Sequence, residues 1–315
     1  MLSISVIIAT YNRGKELRLC LDDIFKQKMD GHFSFDIIVA DNNSDDDTKE
    51  TVNSFEKKYP GRIRYIFEAK QGKCNALNTG IRACQAEIIA FTDDDVRVDE
   101  QWLISLTACF QTYQCDGVGG RILPVYPPQT PEWIKDNVSQ LSGPIVFYDY
   151  GTGTKLYQKP AYEFLGANYA FKRQVFEECG MFRTDIGPGK GTFGDDTEFV
   201  GRALKTGKKL YYCGEALVWH PVDIKRTTLK YIAQWNIALG RYRVIVDDQR
   251  QINPNLVYWF GYPRYLIGRI LRDIIAAGAS LFNKKKFIIS WVELSRNLGK
   301  AMQTRDIYLS KGKLQ

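Results

Sequence analysis

The chain is poor in the features that mark the commonest nucleotide-binding and metal-binding modules. Its first apolar run, Ile4 to Ala9, is followed by Thr10-Tyr11-Asn12-Arg13-Gly14, a loop with a single glycine. That loop holds neither G-x-G-x-x-G nor G-x-x-x-x-G-K-[ST], which argues against a dinucleotide enzyme and a P-loop NTPase. Seven cysteines lie scattered with no Cys-x-x-Cys pair, so they read as reduced thiols in a cytosolic setting, with no zinc module. Histidine is scarce, only His32 and His220. The residues from Met1 to Ile8 lack the basic and small-residue flanks of a signal peptide and read as a strand. No apolar run is long enough to span a bilayer, and there is no internal repeat or low-complexity tract. Acid is in modest deficit. The net charge of +7 over 315 residues fits a polyanionic ligand, an anionic membrane or nucleic acid without choosing among them.

What is present is an alternation of strands and helices. Continuous apolar runs at 4–9, 35–40, 63–66 and 88–91 read as strands covered on both faces. Between them Leu17, Leu21, Ile24 and Phe25, then Val52 and Phe55, then Asn75 to Cys84 recur at helical spacing. Such alternation predicts parallel βαβ units, with ligands gathered at the carboxyl ends of the strands. Three of those ends are polar: Thr10-Tyr11-Asn12, Asp41-Asn42 and Asp93-Asp94-Asp95.

The last of these is the most informative. Three adjacent carboxylates repel one another, and a divalent cation with a preference for hard oxygen ligands removes that cost. The competing reading is a solvated acidic turn in which Asp95 or Asp99 caps the helix begun by Glu100-Gln101-Trp102-Leu103. Lys73 opens a helix whose N-terminus also favours anions, against an ordinary solvated lysine. Farther on, Gly117-Val118-Gly119-Gly120 reads as a fifth strand and turn. From Pro124 to Lys159 prolines and aromatics predict irregular loops or edge strands, and 164–171 reads as a strand interrupted by small residues. A short helix spans Arg173 to Cys179. A glycine-rich loop, 187–194, then delivers Asp195-Asp196-Thr197-Glu198 onto a helix. These acids are either N-caps or a carboxylate able to take a proton from an incoming hydroxyl. Strands are expected at 210–212 and 216–219, with His220 closing the second as a structural histidine or a metal ligand.

Taken in order, several blocks resemble a family 2 glycosyltransferase. They are Ser5 to Arg13, Val39 to Asp46, Gly72 to Asn78, Phe91 to Asp95, Phe164 to Asn168, Gly194 to Phe199 and Val218 to Pro221. The resemblance covers roughly the first 225 residues. It implies an α/β GT-A fold, a Rossmann-like mixed sheet flanked by helices. The catalytic domain would be 1–225, with a nucleotide-binding half 1–120 and an acceptor half 121–225; a helical, membrane-associating extension would fill 226–315. It also implies a nucleoside-diphosphate sugar donor, UDP favoured, with Mn²⁺ or Mg²⁺. On that basis Thr10, Tyr11 and Arg13 line the base pocket, Asp41 bonds a uracil-type base, Lys73 sits near base or phosphate, and Asp93 meets the ribose. Asp94, Asp95 and His220 share the metal, the choice between Asp94 and Asp95 as main ligand staying open. Asp196 falls at the family's general base, with Asp195 beside it where a glutamate is more usual. One base and an in-line displacement imply inversion at the anomeric carbon.

Beyond Thr227 the pattern is helical. Between Leu256 and Phe282 apolar residues are interrupted by Arg264, Arg269 and Arg272, and Lys284-Lys285-Lys286 follows. That is a basic amphipathic helix for an anionic leaflet, or one packed on the catalytic domain or on another subunit of a homo-oligomer. A further helix spans Ile288 to Leu298, and disorder is expected from Gln303 onward. The expectation is therefore a cytoplasmic enzyme at the inner face of the cell membrane, acting on a saccharide or lipid-linked acceptor in surface polysaccharide or glycolipid synthesis. The rivals are a sugar nucleotidyltransferase and a non-catalytic nucleotide-sugar or membrane-binding module. No nucleic-acid partner is expected, because the bases form no aromatic-interleaved patch outside the tail.

Overall fold

The computed structural model describes residues 1–157, 164–188, 192–246 and 256–312. The first half alternates as its periodicity demands: β1 (Leu2–Thr10), α1 (Gly14–Ile24), β2 (Phe33–Asp41), α2 (Thr48–Lys58), β3 (Ile63–Phe67), α3 (Lys73–Ala83), β4 (Ile88–Thr92), β5 (Arg97–Val98) and α4 (Trp102–Tyr113). There follow β6 (Gly117–Val125), α5 (Glu132–Asp136), α6 (Ser142–Ile145), β7 (Thr154–Leu156), β8 (Asn168–Lys172), α7 (Arg173–Cys179), α8 (Asp195–Lys205) and β9 (Leu210–Pro221). The C-terminal part is α9 (Leu229–Val246), a small hairpin of β10 (Tyr258–Trp259) and β11 (Tyr262–Pro263), then α10 (Arg264–Ala279) and α11 (Lys284–Gly312).

Strands β1 to β9 form one mixed sheet in the order β3-β2-β1-β4-β8-β6-β9-β5, with β7 beside β9. Strands β1 to β4 pair in parallel, β8 runs antiparallel between β4 and β6, and β6 and β9 are parallel. The carboxyl ends of β1, β2, β4, β6 and β9 therefore share one edge. The runs of Ile and Val at 4–8 and 37–39 are fully buried because helices cover both faces of the sheet.

Contacts divide the chain into two compact units. One contains the sheet with α1 to α4, α7 and α8. In the other, Ile134, Leu141 and Ile145 from α5, α6 and the turn between them pack with Val222, Ile232, Ile288 and Val292, so the irregular stretch after β6 belongs with the C-terminal helices.

Several local expectations need correction. Gly117 to Gly120 do not end a strand; β6 continues to Val125 with a register shift at Gly120/Arg121. A side chain at Gly120 would collide with Asn168 and the Ala216 carbonyl, so glycine serves close approach here, not turning. The two strands expected at 210–212 and 216–219 are the single strand β9, because Gly214 lets the Gly151 carbonyl lie against it. The stretch opening at Leu256 begins with a hairpin, not a helix. Residues from Gln303 continue α11 to Gly312, where a disordered tail was expected; Tyr308 stacks on Tyr258 and holds that end to the hairpin. The expected break at 253–255 and part of the glycine-rich loop, 189–191, lie outside the described residues.

Asn168 shows what holds the bulge together. Its Oδ1 accepts from Trp102 Nε1 at 2.8 Å, while its Nδ2 donates to the carbonyls of Arg121 at 2.9 Å and Ala216 at 2.8 Å. The bonds to Trp102 and Ala216 are buried and the one to Arg121 is partly so. Asn168→Ala would leave one donor and two acceptors unpaired, at about 1–3 kcal/mol each. We expect a loss of about 3 kcal/mol or more, read as a lower urea midpoint at unchanged m-value; a midpoint within error of the parent would show that water replaces the amide.

Candidate active site

The site is built where the strand ends meet. The loop Asp93 to Val96 joins β4 to β5, and β5 pairs antiparallel with β9 so that Arg97 faces Trp219 and Val98 faces Val218. This register brings the acidic turn beside His220, although the two are remote in sequence. A bidentate pair from Arg97 to Asp23, at 2.5 and 2.8 Å, fastens β5 to α1.

One ligand atom from each of Asp93, Asp95 and His220 lies within 4.8 Å of the others. The Asp95 Oδ1 to His220 Nε2 distance is 3.6 Å. Two carboxylates and an imidazole form a donor set that fits a divalent cation, and the nitrogen suits Mn²⁺ better than the oxygen-loving Mg²⁺.

Asp94 is not in this group. It is 4% exposed and faces Arg13, whose Nη1 stands 3.0 Å from Asp94 and 2.7 Å from Asp95. Burial raises the Asp94 carboxyl to about 6 against the pull of Arg13. Asp93, which the resemblance places at the ribose, has a carboxylate oxygen beside Asp95 and His220 and also pairs with Lys73. Burial alone would raise Asp93, but the Lys73 ammonium outweighs it and holds the acid below its usual range. Lys73 responds in kind: burial favours its neutral form, and Asp93, Asp195 and Asp196 overcome that and raise its pKa.

Asp196 lies in the first turn of α8. Its Oδ2 accepts from the Gly166 N–H and its Oδ1 from the Thr197 N–H, both at 2.7 Å. Burial, then the charge of Asp195, push its carboxyl up to about 7 despite those two hydrogen bonds. Asp195 is more deeply placed, 8% exposed, and burial raises it too, while Lys73 and the Cys74 thiol favour its charged form. Asp196 is the better exposed of the two.

The remaining expected residues are less gathered. Thr10 is buried with its side chain toward Asp94, and Tyr11 is half exposed. Asp41 is buried, with Oδ1 accepting from Ser44 N at 3.0 Å and Oδ2 from the Tyr65 hydroxyl at 2.7 Å. Arg13 sits on the acids of the β4–β5 turn.

Two positioning groups escape a sequence reading. The Asn42 amide donates to the carbonyls of Glu68 and Lys70, and its Oδ1 accepts from Gly72 N at 2.7 Å. It thereby holds the loop that presents Lys73. The Asn78 amide exchanges two hydrogen bonds with the backbone of Phe182 at 2.8 and 3.0 Å, tying α3 to the segment after α7. The available signal was weak: each is an asparagine on an otherwise buried surface, where an amide needs partners.

A mixed sheet with an acidic, cation-competent cluster at its strand ends is the architecture of a GT-A glycosyltransferase. The chain belongs to glycosyl transferase family 2, whose model matches residues 5–180. Among relatives, glycosyltransferase AglE of Haloferax volcanii is 26% identical over 253 residues, 78% of this chain and 75% of that protein. The succinoglycan biosynthesis protein ExoM of Rhizobium meliloti is 24% identical over 241 residues, 76% and 74% of the two chains. Among solved structures, the mannosyltransferase PcManGT from Pyrobaculum calidifontis in complex with GDP-Man and Mn²⁺ aligns with a TM-score of 0.58 at 20% identity, over 99% of this chain and 75% of that one. TarS 1-349 of S. aureus in complex with UDP aligns with a TM-score of 0.56 at 12% identity, over 100% and 92%. At these identities the structural likeness speaks for the fold.

Proposed function

We propose that this glycosyltransferase moves a sugar from a nucleoside-diphosphate donor, UDP-linked in preference to GDP-linked, to a saccharide or lipid-linked acceptor, with inversion at the anomeric carbon. The observation that carries the reading is the convergence of Asp93, Asp95 and His220, with Lys73 between that cluster and Asp196. Asp93, Asp95 and His220 would hold the cation. A divalent ion bound there would supply positive charge to a departing diphosphate. Lys73 is kept protonated by three surrounding acids and offers a fixed positive charge to phosphate oxygens. Asp196, whose Oδ2 accepts only the Gly166 N–H while Oδ1 takes both the N–H and the hydroxyl of Thr197, accepts the proton of the acceptor hydroxyl. The hydroxyl oxygen then bonds to the anomeric carbon as the bond to the diphosphate breaks on the opposite face, which is why one base implies inversion.

The uridine preference rests on Asp41, whose remaining lone pairs would meet the base beside Tyr65. A lipid-linked acceptor, in surface polysaccharide or glycolipid synthesis at the inner face of the cell membrane, would require work at a lipid surface, and 256–286 has the composition for it. The reading is tested by screening UDP- and GDP-sugars for Mn²⁺-dependent hydrolysis in the absence of acceptor. A UDP-sugar should be cleaved measurably and chelation should stop it; cleavage of GDP-sugars alone would reassign the base, and metal-independent cleavage would remove the cation from the scheme.

A further inference from the structure

Helix α10 is apolar on two sides. Leu266 and Ala277 are buried where it packs on α11. At helical spacing a second stripe is formed by Leu271, Ile274 and Ile275, and it faces outward, with Ile275 71% exposed. The turn after the helix adds Leu281 and a fully exposed Phe282. At the other end the β10–β11 hairpin presents Trp259 and Phe260, the latter 94% exposed, and the Arg264 guanidinium stands 5.2 Å over the Trp259 ring, joining the hairpin to the start of the helix. A helix of this length spans about 24 Å, so the apolar stripe runs between aromatic residues at both of its ends. Contiguous exposed apolar surface marks an interaction site.

Charge decides what covers it. Arg264, Arg269, Arg272, Lys284, Lys285 and Lys286, on α10 and at the start of α11, are all exposed. The one acid in 256–286, Asp273, accepts from Asn297 Nδ2 at 2.7 Å and is taken up by α11. A second copy seated on this face would set one basic rim against another. An anionic lipid leaflet pairs with the rim and dissolves the stripe. No helix among the described residues is long and apolar enough to cross a bilayer.

We propose that this face is an interfacial membrane-binding surface. Helix α10 lies in the plane of an anionic leaflet, Phe260 and Phe282 enter the acyl boundary at its two ends, and the six basic side chains lie among the headgroups. This deepens the membrane part of the proposed function and uses none of its chemistry.

Vesicle sedimentation of the full chain, without nucleotide sugar, tests it. The protein should sediment with phosphatidylcholine vesicles containing phosphatidylserine, and less with phosphatidylcholine alone or at high salt. Replacing Lys284, Lys285 and Lys286 together by Gln should weaken binding on the order of a hundredfold, at about a tenfold or smaller factor per charge. Ile275→Gln with Phe282→Gln should reduce it to near background while the thermal midpoint stays put, because both side chains are already exposed. Binding that these variants do not alter, or no binding to either vesicle, overturns the proposal. So does a dimer in sedimentation velocity that the Ile275 and Phe282 changes abolish. Metal-dependent hydrolysis of the donor, measured on the same variants, should remain at the parent level, so failure at the membrane is distinct from failure of the catalytic reading.

Discussion

Asp196→Asn should reduce sugar transfer by roughly 10²–10⁴-fold, the usual worth of a positioned general base, while donor binding stays near that of the parent. The substitution keeps size and shape but changes the hydrogen bonding. Asp196 accepts backbone N–H groups on both oxygens, and an asparagine has one acceptor oxygen, so one N–H loses its partner, worth about 1–3 kcal/mol. Removing a charge from beside the buried Asp195 works in the opposite direction. Thermal melting should therefore move little, and the loss should appear in kcat. Transfer within about tenfold of the parent would pass the role of base to Asp195. The pH profile is a second handle. A base must be unprotonated, and burial with the Asp195 charge pushes Asp196 up to about 7. kcat/KM should accordingly rise about tenfold per pH unit below pH 7 and level off above it. Asp195→Asn removes the like charge that raises Asp196, so its profile should shift toward lower pH; an unmoved profile would mean that another group titrates.

Metal affinity should separate the three consecutive aspartates just as sharply. Asp93→Ala and Asp95→Ala should each weaken Mn²⁺ binding by at least about a hundredfold, beyond the 10–100-fold typical of losing a group that only supports a ligand. Asp94→Asn should stay within about tenfold, since Asp94 is not among the three residues whose ligand atoms converge. The measurement is the electron paramagnetic resonance signal of free Mn²⁺ on titration with protein, which needs no turnover. His220→Asn should fall on the side of Asp93 and Asp95. If Asp94→Asn abolishes binding and Asp93→Ala does not, the cluster of Asp93, Asp95 and His220 is not the cation site.

The contrast among these neighbours shows where local reasoning runs out. That three carboxylates at a strand end invite a cation is a consequence of like-charge repulsion. Which of them meet it depends on how a tight turn aims successive side chains. Asp93 and Asp95 each bring a carboxylate oxygen beside His220 of β9, Asp95 while also meeting Arg13, whereas Asp94 meets Arg13 without joining that group. No spacing rule within 93–95 contains that outcome. Asp41 is a similar case: an acid at the end of a buried strand invites a ligand, and only the parallel pairing of β2 with β3 puts Tyr65 against it. The glycines at 117–120 read as a strand and its closing turn when taken alone, and as part of a longer strand with a register shift beside Asn168 once β8 and β9 lie alongside.

The alternation of strands and helices up to β4, the burial of the first strands on both faces, the acids at the strand tips and the membership suggested by the ordered motifs were all set by the amino-acid sequence itself. Periodicities of two and 3.6 residues and the composition of short loops are properties of neighbours along the chain. The tertiary structure alone decided that Asp93, not Asp94, joins Asp95 and His220, that Asp196 is the better exposed acid of its pair, and that among the described residues one side of α10 is left without cover. Each of these depends on strand register and helix packing between segments far apart in sequence, and such contacts exist only after the chain has closed its loops.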